Sequence, residues 1–157
     1  MKFELWVIGK TTPQWIEEGI NEFTKRLKLL QPVDFVLFND VKNAKSLPVN
    51  ILKQKEGEMI LQKMANEDYL ILCDDKGKQF SSKQFSVWLE KLTNLSKKRI
   101  IVLIGGAYGF SDEIYSRANE QISFSKMTFS HQLIRIIVIE QIYRGFSILK
   151  NLPYHHG

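Results

Sequence analysis

Short apolar runs alternate with amphipathic stretches along this chain. Residues 2–9 set Phe3, Leu5 and Val7 against Glu4 and Trp6, the alternation of a strand, and stop at a glycine. Thr11-Thr12-Pro13 reads as a helix start, with proline near the first helical position. Ile16, Ile20, Phe23, Leu27 and Leu30 then recur at helical spacing until Pro32. A second strand covers 33–38. The polar, lysine-bearing stretch 39–46 reads as a mobile loop. A second helix runs over 48–65 on Ile51, Leu52, Met59, Ile60 and Met64. Residues 68–74 hold a third buried strand, Tyr69-Leu-Ile-Leu-Cys73, with a turn expected at Lys76-Gly77-Lys78. Ser81-Ser82 caps a third helix carrying Phe85, Trp88, Leu89, Leu92 and Leu95.

The next stretch organises the rest. Ile100 to Ile104 are five consecutive apolar residues, four of them β-branched, too short for a helix and suited to a strand covered on both faces. The run stops at Gly105-Gly106, with Gly109 close behind, and Ser111-Asp112-Glu113 supplies an N-cap hydroxyl and first-turn acids for a short helix over 112–118. Strand, glycine turn and helix N-terminus form the usual ligand corner of an open α/β sheet. A short strand follows at 121–124 and a loop at 125–129. Ser130 caps a final helix over 131–149 that is apolar nearly all round and so needs cover on several sides, from the fold or from a second subunit. A non-helical tail, Asn151-Leu-Pro-Tyr-His-His-Gly157, closes the chain. The alternation of strands and helices predicts one α/β domain over 1–157, a mostly parallel sheet flanked by helices.

Composition narrows the class. An apolar fraction of 44% supports one ordinary core in 157 residues. No run reaches the roughly 18 apolar residues of a membrane span, and the N-terminus enters a strand directly, so a cytoplasmic protein without membrane contact is expected. One cysteine, Cys73, excludes an internal disulfide and a cysteine-cluster zinc site. The net charge of +5 permits a polyanionic partner without requiring one.

The glycine stretch lacks the G-x-x-x-x-G-K-[ST] and G-x-G-x-x-G spacings of common nucleotide loops, so a plain tight turn and a ligand site both stay open. Phe124-Ser-Lys-Met-Thr-Phe129 reads either as core plugs or as a clamp for a flat ring. His131, His155 and His156 show no helical metal-ligand pairing, and no metal is expected. Arg135 and Arg144 interrupt the apolar last helix; each pairs with Glu140 or another acid, or else binds phosphate. Tyr154-His155 puts an aromatic ring and a titratable base on the tail.

Taken in order, Leu103-Ile-Gly-Gly-Ala-Tyr-Gly-Phe110, Phe124-Ser-Lys-Met-Thr-Phe129, His131, Arg135, Glu140-Gln-Ile-Tyr-Arg144 and Asn151-Leu-Pro-Tyr-His155 closely resemble the ribosomal RNA large subunit methyltransferase H family of the knotted SPOUT class. The resemblance covers essentially the whole chain, including Lys55-Glu-Gly-Glu58. It implies an α/β fold with a C-terminal trefoil knot, a homodimer, S-adenosyl-L-methionine held in the knot, and methylation of N3 of a pseudouridine in 23S rRNA of the assembled ribosome. By motif it assigns cofactor binding to Cys73, Gly105, Phe124, Ser125, Lys126, Met127, Thr128 and Phe129. It places Arg144, Tyr154 and His155 at the reacting groups, with the tail reaching a partner's site. Cys73 stands where relatives often have leucine, Ser130 where many have proline, and His156 where many have arginine or lysine. A non-enzymatic ribosome-assembly factor and a knotted tRNA methyltransferase are the competing readings.

Overall fold

The computed structural model describes residues 1–157. In chain order the elements are β1 (Lys2–Ile8), α1 (Gln14–Leu27), β2 (Val33–Phe38), a 3₁₀ turn (Ala44–Ser46), α2 (Val49–Lys63), β3 (Tyr69–Gln79), α3 (Ser82–Thr93), β4 (Arg99–Ile104), α4 (Asp112–Arg117), β5 (Glu120–Ser123) and α5 (Leu133–Leu149). The strands form one five-stranded sheet, order β2-β1-β4-β3-β5, and every pairing is parallel.

Both faces of the sheet are covered, so its central strands are mainly apolar where they cross the core. In β4, Ile100, Val102 and Ile104 pack with α1, α3 and α5, while Ile101 and Leu103 point to the side of α2 and α4. β1 divides the same way, Phe3, Leu5 and Val7 against Trp6 and Ile8. Trp6 is therefore fully buried, and its indole N–H donates to the buried Glu4 carboxylate at 2.7 Å. The caps expected from sequence are present. Ser81 forms a reciprocal capping box with Gln84, and Ser111 Oγ accepts from the N–H of Ile114. Ser130 Oγ accepts from Leu133 N–H at 3.1 Å, so it caps α5 although regular helix begins at Leu133.

Three differences from expectation exceed a shift of one or two residues at an element's end. α1 stops at Leu27 rather than Leu30, and Leu29 is left exposed. Part of the 39–46 loop is ordered as the 3₁₀ turn. The third difference bears on the site: Lys76-Gly77-Lys78 is not a turn but the continuation of β3 to Gln79. A bulge between Cys73 and Lys78 lets both halves of β3 pair with β5, Cys73 and then Lys78 opposite Ile122. Gly77 is required by that approach, since a Cβ there would lie 2.5 Å from the backbone of Ile122.

α5 is less uniformly covered than its sequence demands. Val138, Ile139, Ile142 and Phe146 are buried against the sheet, α1 and α3, whereas Leu133, Ile134, Ile136 and Ile137 are only half-buried. Its N-terminal end is tied to the chain after β1. Arg135, 1% exposed, donates to the carbonyls of Ile8, Gly9 and His131 and to Thr11 Oγ1. Gln132 bridges Lys10 and Thr12 beside it. Arg135 thus pairs with no carboxylate and reaches no surface phosphate, unlike either sequence expectation; it satisfies backbone carbonyls at the end of a strand. No helix is long and apolar enough to cross a membrane.

Candidate active site

The carboxyl ends of β4 and β3 and the loop after β5 enclose a cavity of about 740 Å³. The glycine turn forms one wall. It is closed by a Gly109 N–H to Gly106 C=O bond of 3.3 Å, and Gly109 adopts φ +84°, a conformation that favours glycine. Cys73 and Asp74 contribute from β3, and Phe124, Ser125, Met127, Thr128 and Phe129 contribute from the late loop. Six of the seven residues expected at the cofactor besides Gly105 therefore meet Gly105 in one place: Cys73 and these five. Lys126 belongs to the same loop but is exposed and does not line the cavity.

The loop over 124–129 has an unusual backbone. Met127 N–H donates to Ser125 Oγ at 2.9 Å, and Ser125 C=O accepts from Ser123 Oγ at 2.8 Å. Its other backbone N–H and C=O groups make no hydrogen bond within the chain. Backbone polar groups are otherwise obligatory partners. Here they stay free beside a cavity lined by both apolar and polar side chains, as a site that reads the edge of a heterocycle requires.

The titratable groups in the cavity are not those of a nucleophilic hydrolase. Burial, then the neighbouring Asp74 charge, pushes the Cys73 thiol up, so it stays a neutral, weakly reactive wall group. Burial opposes the charge of Asp74. Hydrogen bonds from Tyr115 O–H and Lys76 N–H outweigh that and hold the carboxyl below its ordinary value. His131 lines the cavity, whereas His155 and His156 lie in the tail, and no three His, Cys, Asp or Glu side chains converge as metal ligands would.

Arg144, Tyr154 and His155 form a second group, and none of them lines the cavity of their own chain. Arg144 and Tyr154 converge on Glu140, and His155 lies against Arg144. Arg144 Nη2 donates to Glu140 Oε1 at 2.6 Å, and Tyr154 O–H donates to the same oxygen at 2.9 Å. His155 Nδ1 lies 3.4 Å from Arg144 Nη1. The tail is therefore folded back on α5 rather than frayed. Burial, then the bond to Glu140, raises the Tyr154 phenol. The residues that reading motifs alone did not pick out are Asp74, Tyr115 and Gln121 at the cavity; Glu140 pairs with Arg144 as the sequence suggests, and its bond to Tyr154 is the part that was not foreseen. Only Glu140 left a signal, its i,i+4 spacing from Arg144.

A parallel sheet whose central strand ends in a glycine turn, faced by a loop of unpaired backbone groups, defines an α/β protein with a small-molecule pocket at the carboxyl edge of its sheet. The family described as "Predicted SPOUT methyltransferase" matches residues 1–155. The chain is 51% identical over 156 residues to the "Ribosomal RNA large subunit methyltransferase H" of Parabacteroides distasonis, covering 99% of each chain. It is 48% identical to the protein of the same name from Christiangramia forsetii and 44% identical to that from Cytophaga hutchinsonii, each over 156 residues, with 99% of this chain covered, and 99% and 100% of those two. This chain belongs to the ribosomal RNA large subunit methyltransferase H family of SPOUT methyltransferases. Enzymes of this class take their methyl group from S-adenosyl-L-methionine.

Proposed function

We propose that this chain, folded as a single domain over 1–157, methylates N3 of a pseudouridine in 23S rRNA of the assembled ribosome. The observation that carries this reading is the meeting of Gly105 and the 124–129 loop in one cavity, where backbone groups without partners in the chain lie among apolar and polar side chains. The residues present fit S-adenosyl-L-methionine. The cavity is within the roughly 300–1,000 Å³ of small-molecule sites. Phe124, Met127 and Phe129 offer surfaces for a flat ring, the loop backbone offers donors and acceptors for its edge, and Gly105 permits close approach. Bound there, the cofactor supplies an electrophilic methyl on a sulfonium.

The remaining work is positioning and handling one proton. N3 of the acceptor carries a proton that must leave before its lone pair attacks. The Arg144 guanidinium favours the deprotonated ring electrostatically. Arginine only donates, so the contact of Arg144 Nη1 with His155 Nδ1 at 3.4 Å suits an imidazole with its Nδ1 lone pair free. His155 serves as base once it leaves Arg144, taking the N3 proton on Nδ1. Tyr154 orients the acceptor.

Since Arg144, Tyr154 and His155 lie off their own chain's cavity, the reading includes a homodimer in which the tail of one copy completes the site of the other. Half-buried Ile134, Ile136 and Ile137 on α5 are suitable cover for such an interface. The reading also includes a C-terminal trefoil knot. Its support is the path from β5, at the sheet edge beyond β3, back to α5 between α1 and α3. Tritiated methyl transfer to intact ribosomes, separated subunits and bulk tRNA tests the substrate. Incorporation into ribosomes alone is expected, and transfer to tRNA instead would overturn the reading.

A further inference from the structure

Next to the tail cluster stands a group that no motif marked. Arg26, in the last turn of α1, lies with its guanidinium carbon 5.5 Å from the ring centre of Phe23 and 5.7 Å from that of Tyr143. Tyr143 packs edge-on against Tyr154 at 4.7 Å between centroids, and Arg144 sits 4.8 Å over Tyr154. Arg26, Tyr143, Tyr154 and Arg144 therefore form a continuous ladder, guanidinium to ring to ring to guanidinium. Arg144 pairs with Glu140 and is about a quarter exposed, its side chain 27% accessible. Arg26 is not enclosed: its side chain is 44% exposed. Glu22 takes its Nε and Nη2 edge at 3.0 and 2.9 Å, and Nη1 makes no hydrogen bond in the chain. Phe23 and Tyr143 lie beside the guanidinium, and its partial exposure leaves it open to solvent. A pinned guanidinium with a free N–H edge suits an anionic oxygen, and aromatic rings interleaved with arginine suit unstacked RNA.

We propose that Arg26 is a contact for the phosphate backbone of the RNA that presents the methyl acceptor, its guanidinium lying beside Tyr143. This inference rests on the rRNA methyltransferase reading and extends the substrate surface from the tail onto α1. The exposed Lys25 and Lys28 in the same turns add to the local positive field.

Arg26→Met keeps most of the packing on Tyr143 and removes the charge; Arg26→Lys keeps the charge and loses the planar fork. Methyl transfer to intact ribosomes is measured at several salt concentrations, with calorimetry for S-adenosyl-L-methionine and light scattering for mass. Arg26→Met is expected to raise KM for ribosomes about tenfold, the loss of one charged hydrogen bond. It is expected to flatten the plot of log KM against log salt by about 0.7–0.9, one phosphate contact. It leaves kcat, cofactor affinity and mass unchanged, and Arg26→Lys restores part of both losses. An unchanged KM and salt slope, equal impairment of both variants with no change of slope, or a change in mass overturns the inference. A wild type that methylates no ribosome sinks the functional reading instead. Co-sedimentation with ribosomes still decides on Arg26 then, because equal retention of wild type and Arg26→Met overturns the phosphate contact.

Discussion

Glu140 and Arg144 stand one turn apart on α5, with Arg144 Nη2 2.6 Å from Glu140 Oε1. An exposed i,i+4 pair adds little to stability. This one is mostly buried, and the same carboxylate oxygen holds the Tyr154 hydroxyl of the tail. Its role is geometric, for it fixes two of the three groups assigned to the methyl acceptor. Glu140→Ala is expected to free the tail and misplace Arg144, lowering methyl transfer about 10²-fold, the usual result of a misplacement near 1 Å. Cofactor affinity measured by calorimetry stays at the wild-type value. Glu140→Gln keeps an acceptor oxygen and recovers part of the rate. Equal activity of all three proteins would remove Glu140 from the site.

Gly77→Ala tests the bulged pairing that seats the late loop. A Cβ at this position meets the Ile122 backbone at 2.5 Å, and neither strand has a flexible side chain there to yield. Overpacking of this kind costs about 1–3 kcal/mol. In a chain of this size, that lowers Tm by about 2–4 °C for each kcal/mol. β5 leads directly into the 124–129 loop, so cofactor affinity falls with it. A thermal melt and a calorimetric titration of one preparation check both effects.

Gly77 also shows where the sequence could not be read. Locally, Lys76-Gly77-Lys78 has the composition of a turn. Its strand character comes from Ile122, far along the chain, which only the assembled sheet brings alongside. β4 and its glycine turn were legible because a strand covered on both faces leaves an unbroken apolar run, and the turn that ends it needs Gly109. The 124–129 loop resisted reading from its residues because its free groups are backbone N–H and C=O, which every side chain shares. Its assignment rests on family resemblance; periodicity carries none of it. Arg135 was misread for a related reason, as its partners are carbonyls supplied by the end of β1.

Arg135→Met should reveal how much those carbonyls matter. The substitution fits the apolar surroundings and leaves the carbonyls of Ile8, Gly9 and His131 without the donor each has now. An unpaired buried polar group costs about 1–3 kcal/mol, and His131 sits nearest to solvent, so a loss of about 3 kcal/mol in urea unfolding is expected. Arg135→Lys can serve one or two of the acceptors and recovers part of it. If phosphate binding were the role of Arg135, both variants would keep wild-type stability.

The last prediction concerns pH. Glu56 on α2 lies against the glycine turn, its carboxylate oxygen 2.8 Å from where a Cβ of Gly106 would stand. Burial, then the nearby Asp40 charge, raises the Glu56 carboxyl from 4.5 to about 7. The folded value is above the unfolded one, so the folded state binds this proton more tightly. Below pH 4.5 both states carry the proton and the group costs nothing. Between the two values the unfolded state loses it first, and stability declines as pH rises. Above about 7 the folded chain carries a poorly solvated carboxylate, and the cost is constant. Allowing for partial exposure, that cost is on the order of 2 kcal/mol. Glu56→Gln removes the titration and keeps the shape. It is expected to match the wild type near pH 4 and to exceed its Tm by about 4–8 °C at pH 8. Asp40→Asn, which removes only the repulsion, should give a smaller gain over the same range. Thermal melts across pH 4–8 check the sign directly. A Glu56→Gln advantage that was largest at low pH would mean that Glu56 is held charged by a favourable partner, contrary to the surroundings described above.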